Sequence, residues 1–102
     1  MKLITAVIRP FKLDDVRKAI ADIGIQGITV TEVQGYLCRS SHEDFQPNTK
    51  IEIAVDDSIA EQVVEAVCNV ARTGRSGDGK LWVSEIEQAL RVRTGEIGAE
   101  AI

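Results

Sequence analysis

Apolar and polar residues alternate with a period of two in several short stretches of the chain, and this pattern predicts β-strands. In the clearest of these stretches, Ile51, Ile53 and Val55 share one face. An N-terminal apolar run stops before Pro10, which cannot donate to a sheet ladder. Strands are therefore predicted at residues 3–8, 27–36, 50–55 and 81–83, and a short fifth strand is left open at residues 90–93.

A first longer stretch has the helical period instead. Val16, Ile20 and Ile23 fall on one face, and Gly24 follows them as a stop signal. Aspartates in the first turn favour the positive end of a helix dipole. These signals predict a helix over residues 13–23.

A second helix is predicted to begin near Ser58, where Ser58 and Glu61 have the spacing of a capping box. Apolar residues then recur at helical spacing as far as Ala71, just before a glycine-rich segment. The resulting order is β-α-β-β-α-β. It predicts a ferredoxin-like α+β sandwich, an antiparallel sheet with both helices on one face.

Composition limits the classes of protein that this chain can belong to. Its 102 residues, 44% of them hydrophobic, are enough for one domain over residues 1–102. The net charge is −4 and basic residues are scattered among acidic ones, which argues against nucleic acid or an anionic membrane as a partner. The first apolar run is too short for a signal peptide or membrane span, and Cys38 and Cys68 give no disulfide framework of the secreted kind. A cytoplasmic location is expected.

The chemistry is expected in a glycine-rich segment, Thr-Gly-Arg-Ser-Gly-Asp-Gly-Lys at residues 73–80, and in Arg-Val-Arg-Thr-Gly-Glu at residues 91–96. Glycines let a backbone bend closely around a polyanion, and lysine and arginine supply positive charge. The segment is not a Walker loop, because Leu81 stands where Ser or Thr should hold magnesium, and a helix precedes the glycines where a strand should. The pattern predicts another kind of phosphate site, or only a turn.

Five motifs in this order resemble the PII nitrogen-regulatory signalling proteins, and they cover nearly the whole chain. The motifs lie at residues 9–17, 27–36, 50–53, 73–80 and 91–96. The resemblance implies a homotrimer of ferredoxin-like subunits with ATP or ADP in each cleft between neighbours. It also implies that the loop between the second and third strands reaches a target protein, senses 2-oxoglutarate beside Mg-ATP and carries a site of covalent modification.

The resemblance also implies a role for particular residues. Gly77, Asp78, Gly79 and Lys80 correspond to the phosphate-wrapping loop of the family. The basic pair that reaches the phosphates from the neighbouring subunit corresponds to Arg91 and Arg93. The surroundings of adenine and ribose correspond to Thr29 and to the backbone around Val7, Gly35 and Glu52.

The chain departs from the family pattern between Tyr36 and Lys50, where the loop is shorter by about ten residues. Because an extended chain spans roughly 3.3 Å per residue, the shorter loop reaches much less far from the sheet. The family's Gly-Arg-Gln is replaced by Leu-Cys-Arg, which removes the glutamine that helps to hold magnesium and 2-oxoglutarate. Asn48 stands where a lysine meets the carboxylate of that ligand, and the modifiable tyrosine is missing. Loss of 2-oxoglutarate sensing is therefore expected.

The short loop leaves two further interpretations open. The potential effector residues are Cys38, Arg39, Ser40, Ser41 and His42, followed by Glu43 and Asp44. The spacing of the cysteine and the histidine could reach one metal ion, and the arginine beside two serines could receive a small anion such as bicarbonate. The simpler interpretation is a solvated acidic loop.

A regulatory protein rather than an enzyme is expected, because one histidine gives no basis for assembling a catalytic triad. The leading hypothesis is a trimeric sensor of ATP against ADP that controls a transporter or metabolic enzyme, in nitrogen or related carbon metabolism. Magnesium is an optional companion of the nucleotide, and no redox cofactor is expected. A metal- or bicarbonate-responsive module is the alternative, and a slow ATPase, for which no general base is evident, is a third hypothesis.

Overall fold

The computed structural model describes residues 1–36 and 45–102 of the chain. Its sheet has four strands in the order β2-β3-β1-β4, and every neighbouring pair is antiparallel. Two helices and two short 3-10 turns complete the described part. The elements are β1 (Lys2–Ile8), a turn (Pro10–Lys12), α1 (Leu13–Ile23), β2 (Thr29–Tyr36), β3 (Phe45–Val55), α2 (Asp57–Ala71), β4 (Lys80–Glu85) and a turn (Gly98–Ala101). This arrangement confirms the predicted ferredoxin-like α+β fold.

The core lies between one face of the sheet and both helices. Alternate residues of the two central strands are buried there, as the period of two predicted, and the apolar stripes of α1 and α2 pack against them. The buried hydrophobic residues are Ile4, Ala6, Ile8, Val16, Ile20, Ile51, Ile53, Val55, Val63, Val67 and Ala71. Both helices are therefore held by the same continuous cluster.

The opposite face of the sheet carries a different set of side chains. One row across the strands places Thr29, Glu52, Thr5 and Trp82 in register. Thr5 is buried at the centre of this row, whereas Trp82 is half exposed on the edge strand. Because partners in an antiparallel ladder share a face, these side chains lie on the side of the sheet away from the buried isoleucines.

The third strand begins five residues earlier than predicted, at Phe45 rather than Lys50. The prediction rested on the alternation of Ile51, Ile53 and Val55, whereas Pro47 and Asn48 are residues more typical of a turn than of a strand. Here β3 pairs with β2 alone, because β1 joins β3 only from Thr49 onward. One edge of β3 has no ladder at Pro47, and a proline is tolerated at such a position.

Four other elements have boundaries that differ from the predicted ones. Strand β2 begins at Thr29, two residues later than predicted, whereas β1 and β4 each extend beyond the predicted runs.

Helix α2 is capped by Asp56, whose carboxylate accepts a hydrogen bond from the backbone N–H of Ser58 at 3.1 Å. The predicted cap at Ser58 is therefore wrong by two residues, because aspartate is an equally good cap acceptor.

The suggested fifth strand at residues 90–93 is wrong. The structure has a single bridge between Leu90 and Ile97, closed by a tight turn in which the N–H of Gly95 donates to the carbonyl of Arg91. Such a turn pairs with itself and adds no strand to the sheet.

Among the described residues, no helix combines the length and the apolar character needed to cross a membrane.

Candidate functional site

The glycine loop, residues 72–79, connects the end of α2 to the start of β4 and is folded around the carboxylate of Asp78. That carboxylate accepts hydrogen bonds from the backbone N–H groups of Thr73 and Gly74 at 2.8 and 2.9 Å, and from the hydroxyl of Thr73. The loop is thereby closed on itself. Asp78 thus shapes the loop from within, a role that the sequence motif alone did not reveal.

These donors lower the pKa of Asp78 from 3.8 to about 2, with the hydroxyl of Thr73 as the largest cause, and the nearby Arg9 lowers it further. A carboxyl group whose pKa is lowered by folding stabilises the folded state above its ordinary pKa. That stabilisation is lost as the pH falls through the folded-state value. The loop is therefore expected to keep its closed form at neutral pH and to open near pH 2.

The pH dependence gives a direct test. In carbon-detected NMR of the wild-type protein, the side-chain carboxyl of Asp78 should titrate near pH 2. Thr73→Val removes the largest cause of the lowered pKa, so the midpoint should move upward toward 3.8. A wild-type midpoint at the ordinary value would show that the loop is not held by this carboxylate.

Gly79 brings the end of the loop into contact with β1. Its φ of +100° lies in the left-handed region, and a Cβ there would overlap the carbonyl oxygen of Val7 and lie 2.8 Å from its carbonyl carbon. The next residue, Lys80, begins β4 and pairs with Val7. Glycine is therefore required both by the backbone conformation and by the available space.

A cavity of about 210 Å³ opens where the loop meets the sheet. Val7, Gly79 and Lys80 line it together with Asp78, and apolar side chains of α2 form another wall. The cavity thus contains three of the six residues that were predicted to surround the phosphates, Asp78, Gly79 and Lys80. Cys68 also lines this cavity and is partly buried.

Arg91 lies in a second cavity, of about 440 Å³, which is also lined by Gly27 and Ala54. Its guanidinium donates to the carbonyl of Glu100 at 3.2 Å and lies 3.7 Å from the carboxylate of Glu96. Glu96 and the carbonyl of Glu100 therefore hold this arginine in place. Arg93 lies two residues further along the chain, in the turn between Leu90 and Ile97, and is exposed.

The two cavities lie toward opposite ends of the sheet. Lys80 pairs with Val7 near one end of β1, whereas Val55, which lines the second cavity, pairs with Lys2 at the other end. Five residues of strand separate these ends, or roughly 17 Å. A single chain therefore does not bring Lys80 and Arg91 to one site.

The remaining predicted residues lie on β2 and β3. Thr29 pairs with Glu52, whose carboxylate is 3.8 Å from the amine of Lys50. Further along, Gly35 pairs with Gln46, and the side chain of the diagonal neighbour Asn48 lies so close that a Cβ on Gly35 would be 2.7 Å from its amide nitrogen Nδ2. Sequence reasoning missed Arg9, which contacts the glycine loop from 67 residues away, and no local pattern connects the two.

The predicted effector residues, Cys38, Arg39, Ser40, Ser41 and His42, lie outside the described residues, as do Glu43 and Asp44. The metal and small-anion hypotheses for this loop therefore stay predictions. Within residues 1–36 and 45–102, no three His, Cys, Asp or Glu side chains are grouped in a way that could hold a metal ion.

Comparison with known proteins gives a consistent result over the full length. The family model described as "Nitrogen regulatory protein P-II" matches residues 1–96. Proteins of that name from Rhizobium meliloti (strain 1021) and Bradyrhizobium diazoefficiens are each 47% identical to the chain, and one from Haemophilus influenzae is 46% identical. Each alignment covers 100% of both sequences.

The fold and these similarities define a small signal-transduction regulator. The chain belongs to the P-II nitrogen regulatory protein family, which confirms the resemblance found in its motifs. The alignments span 112 positions and the chain has 102 residues, so at least ten positions have no counterpart in it. That difference agrees with the shortened segment predicted between Tyr36 and Lys50.

Proposed function

We propose that this protein is a trimeric regulator that binds ATP or ADP between neighbouring subunits and controls a transporter or a metabolic enzyme in nitrogen or related carbon metabolism. The observation that carries the proposal is the separation of Lys80 from Arg91 within one chain. Two half-sites at opposite ends of a sheet form one whole site only when a second subunit supplies the missing half.

The first half-site is the cavity beside the glycine loop. The left-handed glycines Gly77 and Gly79 let the loop backbone pack closely against Arg9 and Val7. Gly79 and Lys80 line the cavity, and Lys80 adds a positive charge to it. Loops of this kind with exposed backbone N–H groups form anion-binding concavities. This half-site supplies the contacts to the phosphates.

The second half-site is the cavity that contains Arg91. Its guanidinium is positioned by Glu96 and Glu100, and Arg93 extends from the same turn. Arginine binds phosphate oxygens through a planar fork of donors. The two further cations would therefore come from the neighbouring subunit. Thr29 and Glu52, which pair across β2 and β3, line neither cavity and are the expected polar surroundings of the adenine and ribose, together with the backbone around Val7 and Gly35.

The proposal is tested by mixing two variants, each with weakened ATP binding. Lys80→Ala should weaken ATP binding by about 1.5–3 kcal/mol, roughly tenfold to a hundredfold, because it removes one charge-assisted contact. Arg91→Ala should do the same from the other half-site. When the two variants are unfolded together and refolded, each mixed trimer has one interface in which both residues are intact. At equal amounts, about one site in four should recover wild-type affinity.

Calorimetric titration with ATP gives both the affinity and the number of tight sites. The control mixes Lys80→Ala with the double variant Lys80→Ala/Arg91→Ala, which has no intact Lys80 and should recover nothing. Recovery of no tight sites in the first mixture, with trimers present by sedimentation, would show that both residues do not serve one intersubunit site. A wild-type protein that is a monomer at micromolar concentration would contradict the trimer itself.

A further expectation is that the protein lacks strong, Mg-ATP-dependent binding of 2-oxoglutarate. That ligand has two carboxylates and a keto group, and its site needs a positioned metal and a cation facing the far carboxylate. Here Asn48 replaces the expected lysine, and its amide is packed against Gly35. Each missing charged contact typically costs about 1.5–3 kcal/mol. Titration of the protein saturated with Mg-ATP should show no micromolar binding, and such binding would mean that the short loop rebuilds the site.

A further inference from the structure

Arg9 connects the end of β1 to the glycine loop. It lies directly after Ile8, the last residue of the strand, and only 26% of its side chain is exposed. One guanidinium nitrogen, Nη2, donates a hydrogen bond to the backbone carbonyl of Ser76. Another, Nε, lies 3.6 Å from the carboxylate of Asp78. A single side chain thus contacts the residues on both sides of Gly77.

The contact with Gly77 itself is equally close. A Cβ at that position would lie 2.8 Å from Nη2 of Arg9, so the guanidinium packs directly on the backbone of the loop. The carboxylate of Asp78, the residue after Gly77, also accepts hydrogen bonds from the backbone N–H groups of Thr73 and Gly74. The loop is therefore tied at its beginning by Thr73 and at its middle by Arg9, with the carboxylate of Asp78 common to both.

We propose that Arg9 is a positioning residue for the nucleotide site, which holds residues 76–79 against β1 and so fixes where Lys80 and the glycine backbone meet the phosphates. This inference rests on the proposed nucleotide-binding function. An arginine suits the task because its planar fork of donors can engage a carbonyl and a carboxylate at once, whereas a lysine is a single point charge. Arg9 acts through the loop and is distinct from the cations that contact the ligand.

The first test measures the loop without nucleotide. In Arg9→Met, the NMR signals of the backbone N–H groups of Gly77 and Gly79 should shift, and the pKa of Asp78 should rise because a nearby positive charge is lost. Arg9→Lys should restore the charge without restoring the fork of donors. The matched control is Arg17→Met, since Arg17 also lies near an aspartate, Asp14 at 3.4 Å, but on the exposed surface of α1. It should leave the loop signals unchanged.

The second test separates positioning from direct contact with the ligand. Arg9→Met should weaken ATP binding about tenfold. In an Asp78→Asn background, the same substitution should have a clearly smaller effect, because the partner through which Arg9 acts has already been altered. A full tenfold effect in both backgrounds would show that Arg9 does not act through Asp78 and would overturn the proposed positioning role.

These outcomes can be told apart from failure of the proposed function. If the wild-type protein binds no ATP, the nucleotide site is wrong, and the NMR test still decides whether Arg9 orders the loop. If the wild-type protein binds ATP and Arg9→Met binds it equally well, the inference about Arg9 is wrong while the nucleotide site stands. Thermal unfolding of every variant shows whether a lost affinity reflects a lost fold.

Discussion

Gly79→Ala is expected to disrupt the junction between the glycine loop and the sheet, and with it the binding of nucleotide. The new methyl group would overlap the carbonyl oxygen of Val7, which is backbone and cannot rotate away. The φ of +100° is a further strain for alanine. Overpacking and left-handed strain each cost about 1–3 kcal/mol. A destabilisation of about 3 kcal/mol or more follows, unless the start of β4 separates from β1.

The matched control is Gly74→Ala in the same loop. Gly74 also has a left-handed φ, of +82°, but a Cβ there meets no atom within 4 Å. Gly74→Ala should therefore suffer the backbone strain without the steric overlap and lose about 1 kcal/mol in free energy of unfolding. Denaturant unfolding at one fixed protein concentration measures both, and ATP titration follows the site. Equal effects of the two substitutions would show that contact with Val7 does not determine the position of the loop.

Most of the fold could be predicted because its strands and helices have strong local signals. The alternation of Ile51, Ile53 and Val55 and the stripe of α1 each specify one buried face, and a single core satisfies both. The errors arose where tertiary pairing overrides local character. Pro47 lies within a strand because β1 does not extend that far, and the turn at residues 90–97 pairs only with itself.

The candidate site was less accessible to sequence reasoning. Glycines and cations in the loop predicted a phosphate site, although the same pattern also fits a simple turn. Arg9 had no such signal, because its role depends on a contact between two segments that are distant in the chain. The motif also could not show that Asp78 is turned toward the amides of its own loop. Such roles depend on the path of the backbone, which residue spacing alone does not specify.

Ile53→Ala is expected to destabilise the hydrophobic core strongly, by about 2–5 kcal/mol. Ile53 is 0% exposed and pairs across the ladder with Ile4, which is equally buried at the centre of the sheet. Truncation would leave a cavity between two central strands and both helices, where neighbouring backbones cannot collapse. Ile53→Val should lose only about 0.5–1.5 kcal/mol, so the effect should scale with the volume removed.

Val83→Ala provides the control within the same row of side chains. Val83 pairs with Ile4 from the other side and lies on the same face, but it belongs to the edge strand β4 and is 45% exposed. Ile53 and Val83 therefore compare a buried position in a central strand with a half-exposed position on the edge strand, and Val83→Ala should cost less than about 1 kcal/mol. Stability should be measured by denaturant unfolding at a fixed protein concentration, because assembly would make it depend on concentration. If both alanine variants lost the same stability, the packing centre would not lie between β1, β3 and the helices.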